Sequence, residues 1–317
     1  MPLAERVREV EGEVDLIVAT SLTCLSSLFG LLRRSRLAAK PCLYYMHENQ
    51  LTYPIRQGGK RDSQLILRQF HSQLVADAVW FNSDFNRRSW FEALPSFLRR
   101  FPDHHGLETL QALEDKSEVV PLGLDFSPSV EPPQRRRQIL LWNQRWEWEK
   151  GIDRFLEVLK RLGPEAPFDV VVLGGEPVRE DPAREELKAF LGPRLLHCGW
   201  CERDAYEEWL RRGDFTISVA RHEFFGISLL EAAGHGLMTF LPCDLAYPEL
   251  LPESLHQVCL YRSLKSLTGR IQRYLNRPED YFESRQKLAE VARSYLWSKV
   301  VDRYDEGATT LVQSCSA

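Results

Sequence analysis

Long apolar runs are missing from this chain. Residues 16–32, LIVATSLTCLSSLFGLL, come nearest, but they carry five Ser or Thr and follow a leader of mixed charge. They read as a strand entering a helix, not as a membrane span or a cleaved signal. An excess of positive charge is missing too: the formal net charge is −4, which excludes a protein held on nucleic acid by a broad basic face but leaves room for a local basic patch. Cysteine is sparse and odd in number, seven over 317 residues, the pattern of reduced thiols in a cytoplasmic protein and not of a disulfide framework. Cys198 and Cys201 stand at zinc or redox spacing, yet only His197 adjoins them and no thioredoxin-like unit surrounds them. Asp-x-Asp occurs nowhere, which removes one simple way of offering two carboxylates to a divalent cation. Neither a metal nor an organic cofactor is expected.

What is present is a regular alternation of strand and helix. A chain of this length is long for one core and comfortable for two. In the first part DLIVAT (15–20), PCLYYMHEN (41–49) and ADAVWFNS (76–83) read as strands. Helices are expected to about Leu37, over 63–76, and from a Ser83 cap toward Pro95, before a stretch rich in Phe, Arg and His (96–114). SPSVEPPQRRR, with three prolines and a charge run, predicts an interdomain linker over 127–137. Beyond it QILLWNQ, FDVVVLGG, RLLHCG and FTISVA alternate with amphipathic helices, which implies right-handed crossovers and a parallel sheet covered on both faces. The expected organisation is an α/β chain of two Rossmann-like domains facing a central cleft, 1–126 and 138–317, the second including the terminal helices. The first domain is expected to lack its first one or two β-α units, because charged MPLAERVREVEGEVD stands where a strand and a glycine-bearing turn would open it.

HEFFGISLLEAAGHG (222–236) sets two carboxylates, Glu223 and Glu231, eight positions apart across Gly226. FTISVA before it is a buried strand, and Ile227, Leu230, Ala233 and Gly234 after it fall on one helix face. Glu223 then lies in the turn and Glu231 inside the helix. The helix start offers unpaired N–H groups and the positive end of a dipole, and Gly226 lets a diphosphate approach. Carboxylates accept hydrogen bonds from hydroxyls, so Glu231 is placed for a ribose diol and Glu223 for a sugar on the far phosphate. The implied ligand is a sugar nucleotide, met also by the backbone of Phe225, Gly226 and Ile227. Two glutamates beside an amphipathic helix are, taken alone, more often solvated charges.

NQRWEWEKG (143–151) supplies the opposite sign. Arg145 and Lys150 straddle a strand end and a helix start, where two cations can stabilise a departing nucleoside diphosphate. At the end of the second strand, His47, Glu48, Asn49 and Gln50 form a polar run that is costly to bury without partners, and Asn82 closes the third strand likewise. Strand ends of parallel sheets are where ligands sit. His47, otherwise a hydrogen-bonded core histidine, is assigned to the donor sugar; Glu48, Asn49, Gln50 and Asn82 are assigned to the acceptor side. Basic clusters at Arg33 to Arg36, Arg56 to Arg61, Arg87 with Arg88, and Arg135 to Arg137 would suit a polyanionic acceptor if some of them converged.

YYMHENQLTYP (44–54), VWFNSDFN (79–86), LWNQRWEWEKG (141–151) and ARHEFFGISLLEAAGHG (220–236) together resemble the tRNA-queuosine α-mannosyltransferase family. The last string by itself resembles the second-domain signature of family 4 glycosyltransferases of the GT-B architecture. MHENQLTYP is the more specific of the motifs, since the glutamate pair is shared by many sugar-nucleotide transferases. The resemblance covers nearly the whole chain. It implies a GT-B enzyme that moves mannose from GDP-mannose, with retention at the anomeric carbon, to the cyclopentenediol of queuosine in the anticodon of a tRNA for aspartate. It places Arg145 and Lys150 at the diphosphate, Glu231 at the ribose, Glu223 and the backbone of Phe225 to Ile227 at the mannose, and His47 at the reacting side. The leaving phosphate then helps deprotonate the acceptor, with no protein nucleophile. The alternatives are a transferase of the same fold acting on a lipid or soluble glycan, and a catalytically weak sugar-nucleotide or tRNA-binding protein. The lack of a basic amphipathic first helix speaks against a membrane partner. The unit missing at the front is where the chain departs from the family.

Overall fold

The computed structural model describes residues 2–56, 58–103, 105–128, 137–175 and 182–316; most of the linker expected at 127–137 lies outside them, with Arg135 and Arg136 of the last basic cluster. The chain divides into two compact units, Met1–Leu122 together with Val300–Ala317, and Gly123–Lys299.

The first unit holds four parallel strands, β1 (Ile17–Thr20), β2 (Cys42–Met46), β3 (Ala78–Phe81) and β4 (Ser117–Val119), in the spatial order β1-β2-β3-β4. Every step crosses the sheet in the same direction. Because crossovers between parallel strands are right-handed, the helices Leu25–Leu32, Ser63–Val75 and Asp84–Leu98 gather on one face. The side chains alternate accordingly. Cys42, Tyr44, Met46, Val79 and Phe81 share a core with Leu25, Ile66, Phe70, Trp90 and Leu94, whereas Leu43, Tyr45 and Trp80 form a second one with Val120.

That second face is covered by the C-terminal helix, Trp297–Ser316, through Tyr304 and Leu311. Tyr45 Oη donates to Val120 O at 2.5 Å and lies 2.9 Å from Tyr304 Oη, which donates to Pro121 O at 2.9 Å. The sequence pattern groups this helix with the second domain; a sheet with one bare apolar face is the physical reason that it packs from Val300 onward with the first unit. The helix Asp84–Leu98 also differs from expectation, since it runs through Pro95. Ser83 caps it by accepting Asn86 N–H at 3.0 Å, and burial of Leu94, Phe97 and Leu98 outweighs the one intrahelical bond that proline forfeits.

The second unit holds six parallel strands, β5 (Gln138–Trp142), β6 (Phe168–Val172), β7 (Leu195–Cys198), β8 (Phe215–Ile217), β9 (Met238–Pro242) and β10 (Leu260–Tyr261), ordered β10-β9-β8-β5-β6-β7. The strands expected from QILLWNQ, FDVVVLGG, RLLHCG and FTISVA are β5 to β8, each trimmed to its apolar part. Leu140, Leu141 and Trp142 are wholly buried, as befits a central strand with both faces covered. Winding runs outward from β5 through β7 and then restarts on its other side with β8. At such a reversal the connecting loops diverge and leave a crevice at the carboxyl ends of the two strands. Among the described residues no helix is long and apolar enough to cross a membrane.

Gly30 and Gly307 both lie inside helices of the first unit. A Cβ on Gly30 would meet nothing within 4 Å, so Gly30→Ala should gain stability from helix propensity, about 0.5–1 kcal/mol. A Cβ on Gly307 would stand 2.6 Å from the Trp80 ring, so Gly307→Ala should lose about 1–3 kcal/mol to overpacking despite the same propensity gain. Urea midpoints should move in opposite directions. A stabilised Gly307→Ala variant would show that this helix does not press on the sheet.

Candidate active site

Two loops meet at the reversal. The one leaving β5 passes through Asn143, Gln144 and Arg145 to Lys150, and the one leaving β8 leads to Glu223 and Gly226. They touch at Gly151, which has φ 78° and whose absent Cβ would fall 2.5 Å from Val219 O. Only glycine permits both the left-handed backbone and that approach. Arg221 then staples the loops, its N–H donating to Glu149 O at 2.7 Å and its guanidinium to Trp148 O at 3.0 Å and Asp153 Oδ1 at 2.8 Å. The result is an ion pair, Lys150 Nζ to Glu223 Oε2 at 3.0 Å, with side chains 10% and 17% exposed. The other carboxylate oxygen of Glu223 accepts the amides of Phe224 at 3.1 Å and Phe225 at 3.2 Å.

Arg145 lies in the same loop but points to water, 67% exposed, with Nη2 3.1 Å from Glu147 Oε2. Glu147 is unusual: a hydrogen bond with the Glu149 side chain, assisted by burial, lifts its carboxyl to about 7 against the pull of Arg145.

Gly226 has φ 97° and forms the start of the helix Ile227–Gly234, which no side chain caps. The expected amide donors divide. Phe225 N–H is taken by Glu223 and Gly226 is buried, while Ile227 is 44% exposed. Ile227 thus departs from the apolar face predicted for it, because it begins the helix; the buried set is Leu229 to Gly234. Glu231 is 8% exposed, accepting Arg203 Nη1 at 2.9 Å on one oxygen and Tyr206 Oη at 2.8 Å on the other. Tyr206 accepts from Asn143 Nδ2 at 3.1 Å, and Arg203 also donates to Asp125 O at 2.7 Å. Burial, then the Glu231 charge, holds the Tyr206 phenol far above its usual range, so it remains a donor. Neither Arg203 nor Tyr206 is distinguishable by spacing from Glu231, since the helix Arg203–Arg212 that carries them reaches it only through the fold. Three residues before Arg203, in the loop after β7, Trp200 is 61% exposed, a large aromatic face that composition gives no reason to select.

In the first unit the HENQ segment leaves β2 as expected, with its members in different roles. Asn49 is fully buried, its amide donating to Asn86 Oδ1 at 2.9 Å and its carbonyl accepting Thr52 N–H at 2.8 Å. Asn82, 3% exposed, donates to His47 O at 2.9 Å and accepts from Asn86 Nδ2 at 2.9 Å. Both were expected to face an acceptor; both are spent on holding the segment, because a polar side chain behind a strand end must find partners. The surface left is His47, Glu48 and Gln50, each half-buried, with Gln50 Nε2 donating to Glu48 Oε1 at 2.9 Å. The His47 ring packs 4.3 Å from that of Tyr45, and burial lowers its pKa, so the imidazole is neutral at pH 7.

A six-stranded doubly wound sheet with an uncapped helix and an ion pair at its reversal, joined to a second parallel α/β unit, is the layout of the GT-B fold. Solved structures share the fold: sucrose-phosphate synthase from Thermosynechococcus elongatus superposes with a TM-score of 0.73 over 98% of this chain and 78% of that one at 17% identity. An Anabaena protein crystallised with UDP and glucose gives 0.72 over 98% and 82% at 16%. Residues 126–295 match the glycosyl transferases group 1 model, and residues 1–124 match the model of the tRNA-queuosine alpha-mannosyltransferase N-terminal region. The tRNA-queuosine alpha-mannosyltransferase of Drosophila melanogaster is 32% identical over 287 residues, 87% of this chain and 74% of its own. The chain belongs to the tRNA-queuosine alpha-mannosyltransferase family.

Glu147 offers a direct check on the loop geometry. Its ordinary pKa is 4.5 and its folded one about 7, so between those values the folded chain keeps a proton that the unfolded chain has lost. The stability this contributes is fully present below about 4.5 and disappears as pH rises through 7. The urea midpoint of the wild type should decline across that window, and Glu147→Gln should flatten the decline. An equal slope in both would dismiss the Glu147–Glu149 contact.

Proposed function

We propose that the protein transfers mannose from GDP-mannose to queuosine in the anticodon of a tRNA for aspartate, in the cytoplasm, with retention and without a bound metal. One observation carries the donor half: Lys150 paired with Glu223 beside the uncapped start of Ile227–Gly234. The acceptor half is supported by the family match over residues 1–124.

The diphosphate lies over Gly226, where the helix amides, Lys150 and Arg145 meet its charge. Arg145 exchanges Glu147 for phosphate. Each carboxylate oxygen has about two lone-pair sites. On Glu231 one site per oxygen is filled by Arg203 and Tyr206, and the two that remain suit a vicinal ribose diol. Glu223 has a site left on Oε2 for a mannose hydroxyl. Trp200 offers its face to the base. His47, neutral, has one donor and one acceptor for the reacting sugar, and Glu48 and Gln50 meet the acceptor. The bond from C1 to the phosphate oxygen breaks as the queuosine hydroxyl oxygen bonds C1 on the same face; its proton passes to the departing phosphate.

Nucleoside mass spectrometry of queuosine-containing tRNA incubated with enzyme and GDP-mannose should show a gain of one hexose. Transfer only to a lipid or free glycan, or RNA binding without turnover, would sink the proposal. Glu231→Ala should weaken GDP about 10- to 100-fold, the worth of hydrogen bonds to a charged group. Glu223→Gln, which preserves an acceptor for the two amides, should lower turnover while leaving GDP affinity nearly unchanged.

A further inference from the structure

The carboxyl ends of β8, β9 and β10 enclose a groove of about 550 Å3 that takes in the loop-stapling Arg221 but none of the residues placed on the donor. Arg154, from the helix Ile152–Leu162, Arg221, from the loop after β8, and Arg262, from the loop after β10, all line it. One carboxylate faces them, that of Asp244, and it already accepts Leu245 N–H at 2.8 Å. Arg221 is committed to Trp148 and Asp153. Among the described residues the guanidinium groups of Arg154 and Arg262 have no hydrogen-bond or ion-pair partner. The floor is fixed: buried Tyr261 donates from Oη to Ser218 O at 2.7 Å and accepts Cys243 N–H at 2.7 Å on its carbonyl.

Position narrows what such a groove can take. It shares Arg221 with the loop that carries Glu223, so it adjoins the sugar end of the donor site. The residues placed for the nucleotide, Glu231, Arg203 and Trp200, lead the other way across the sheet edge, toward β7. The β9–β10 side is therefore free for a second substrate. Its cations come from separate elements and line a space much larger than one phosphate, which fits an extended polyanion. We infer that this groove holds the sugar–phosphate backbone of the RNA acceptor, with Arg154 and Arg262 as phosphate ligands, an assignment that rests on the acceptor being a tRNA.

The test uses the full chain and the double variant Arg154→Ala/Arg262→Ala, with Arg273→Ala/Arg277→Ala as a charge-matched control on exposed arginines of another pocket. The Kd for queuosine-containing tRNA should rise at least about 10-fold in the first variant. Its slope of log affinity against log salt should flatten by about 1.4–1.8, two phosphate contacts' worth of released counterions. KM for tRNA should rise, with kcat and GDP affinity unchanged. Wild-type Kd and slope in the variant, or an equal loss in the control, would overturn the assignment. Modification of tRNA by both wild type and variant with equal KM overturns it alone. A wild-type enzyme that leaves the tRNA unmodified overturns the acceptor proposal and this one with it.

Discussion

The contact between Gly151 and Val219 governs the chemistry of the second unit, because it forces an ammonium and a carboxylate from distant parts of the chain to within 3.0 Å. Energetics explain why such a pair is not there for stability. Two unit charges about 4 Å apart gain about 4 kcal/mol in a protein-like medium, while each ion loses several kcal/mol of hydration on burial. The two nearly cancel. What the pair provides is a site already neutral and already ordered, in which Glu223 cannot rotate because two amides hold its other oxygen. A cation held in one orientation before any ligand arrives is the kind of preorganisation that accelerates transfer reactions.

The second carboxylate follows a different logic. Glu231 is also buried and also met by a cation, but its partners come from beyond β7, not from the loops at the reversal. The two glutamates of one short segment thereby belong to two halves of the sheet edge. Glu223 is met by Lys150 from the loop after β5, and Glu231 by Arg203 and Tyr206 from the helix after β7. A nucleoside diphosphate sugar, as proposed above, is long, charged in the middle and hydroxylated at each end, the outline that two carboxylates flanking a helix start would suit.

Much of this was legible in the residues. Apolar runs located β5 to β8 but not β9 or β10, and the glycine between two glutamates located the helix start. Lys150 was recoverable from its place after a strand end. Arg203 and Tyr206 were not, since nothing local marks a helix residue that meets a carboxylate 25 or more positions away. Asn49 and Asn82 misled for a physical reason: a polar residue at a strand end signals either a ligand or a neighbouring backbone to be satisfied, and composition does not tell the two apart. The C-terminal helix misled because sequence order suggests neighbours, whereas a sheet wound in one direction leaves a face that only a returning segment can cover.

Those two buried asparagines have a functional consequence of their own. Asn49, Asn82, Asn86 and Gln69 lock the backbone from His47 to Thr52, Gln69 alone accepting Gln50 N–H at 2.8 Å and donating to Glu48 O at 3.0 Å. A polar loop at a strand end would otherwise sample many conformations, each ordered residue costing about 1–2 kcal/mol of backbone entropy when a ligand binds. Here that cost is met in folding. The side chains that stay accessible, His47, Glu48 and Gln50, are therefore displayed on a rigid rim, and His47 stays uncharged because Tyr45 and its surroundings shield it from water. A neutral imidazole can donate and accept at once, which suits a sugar hydroxyl better than a cation would. The asparagines expected to touch substrate instead fix the residues beside them.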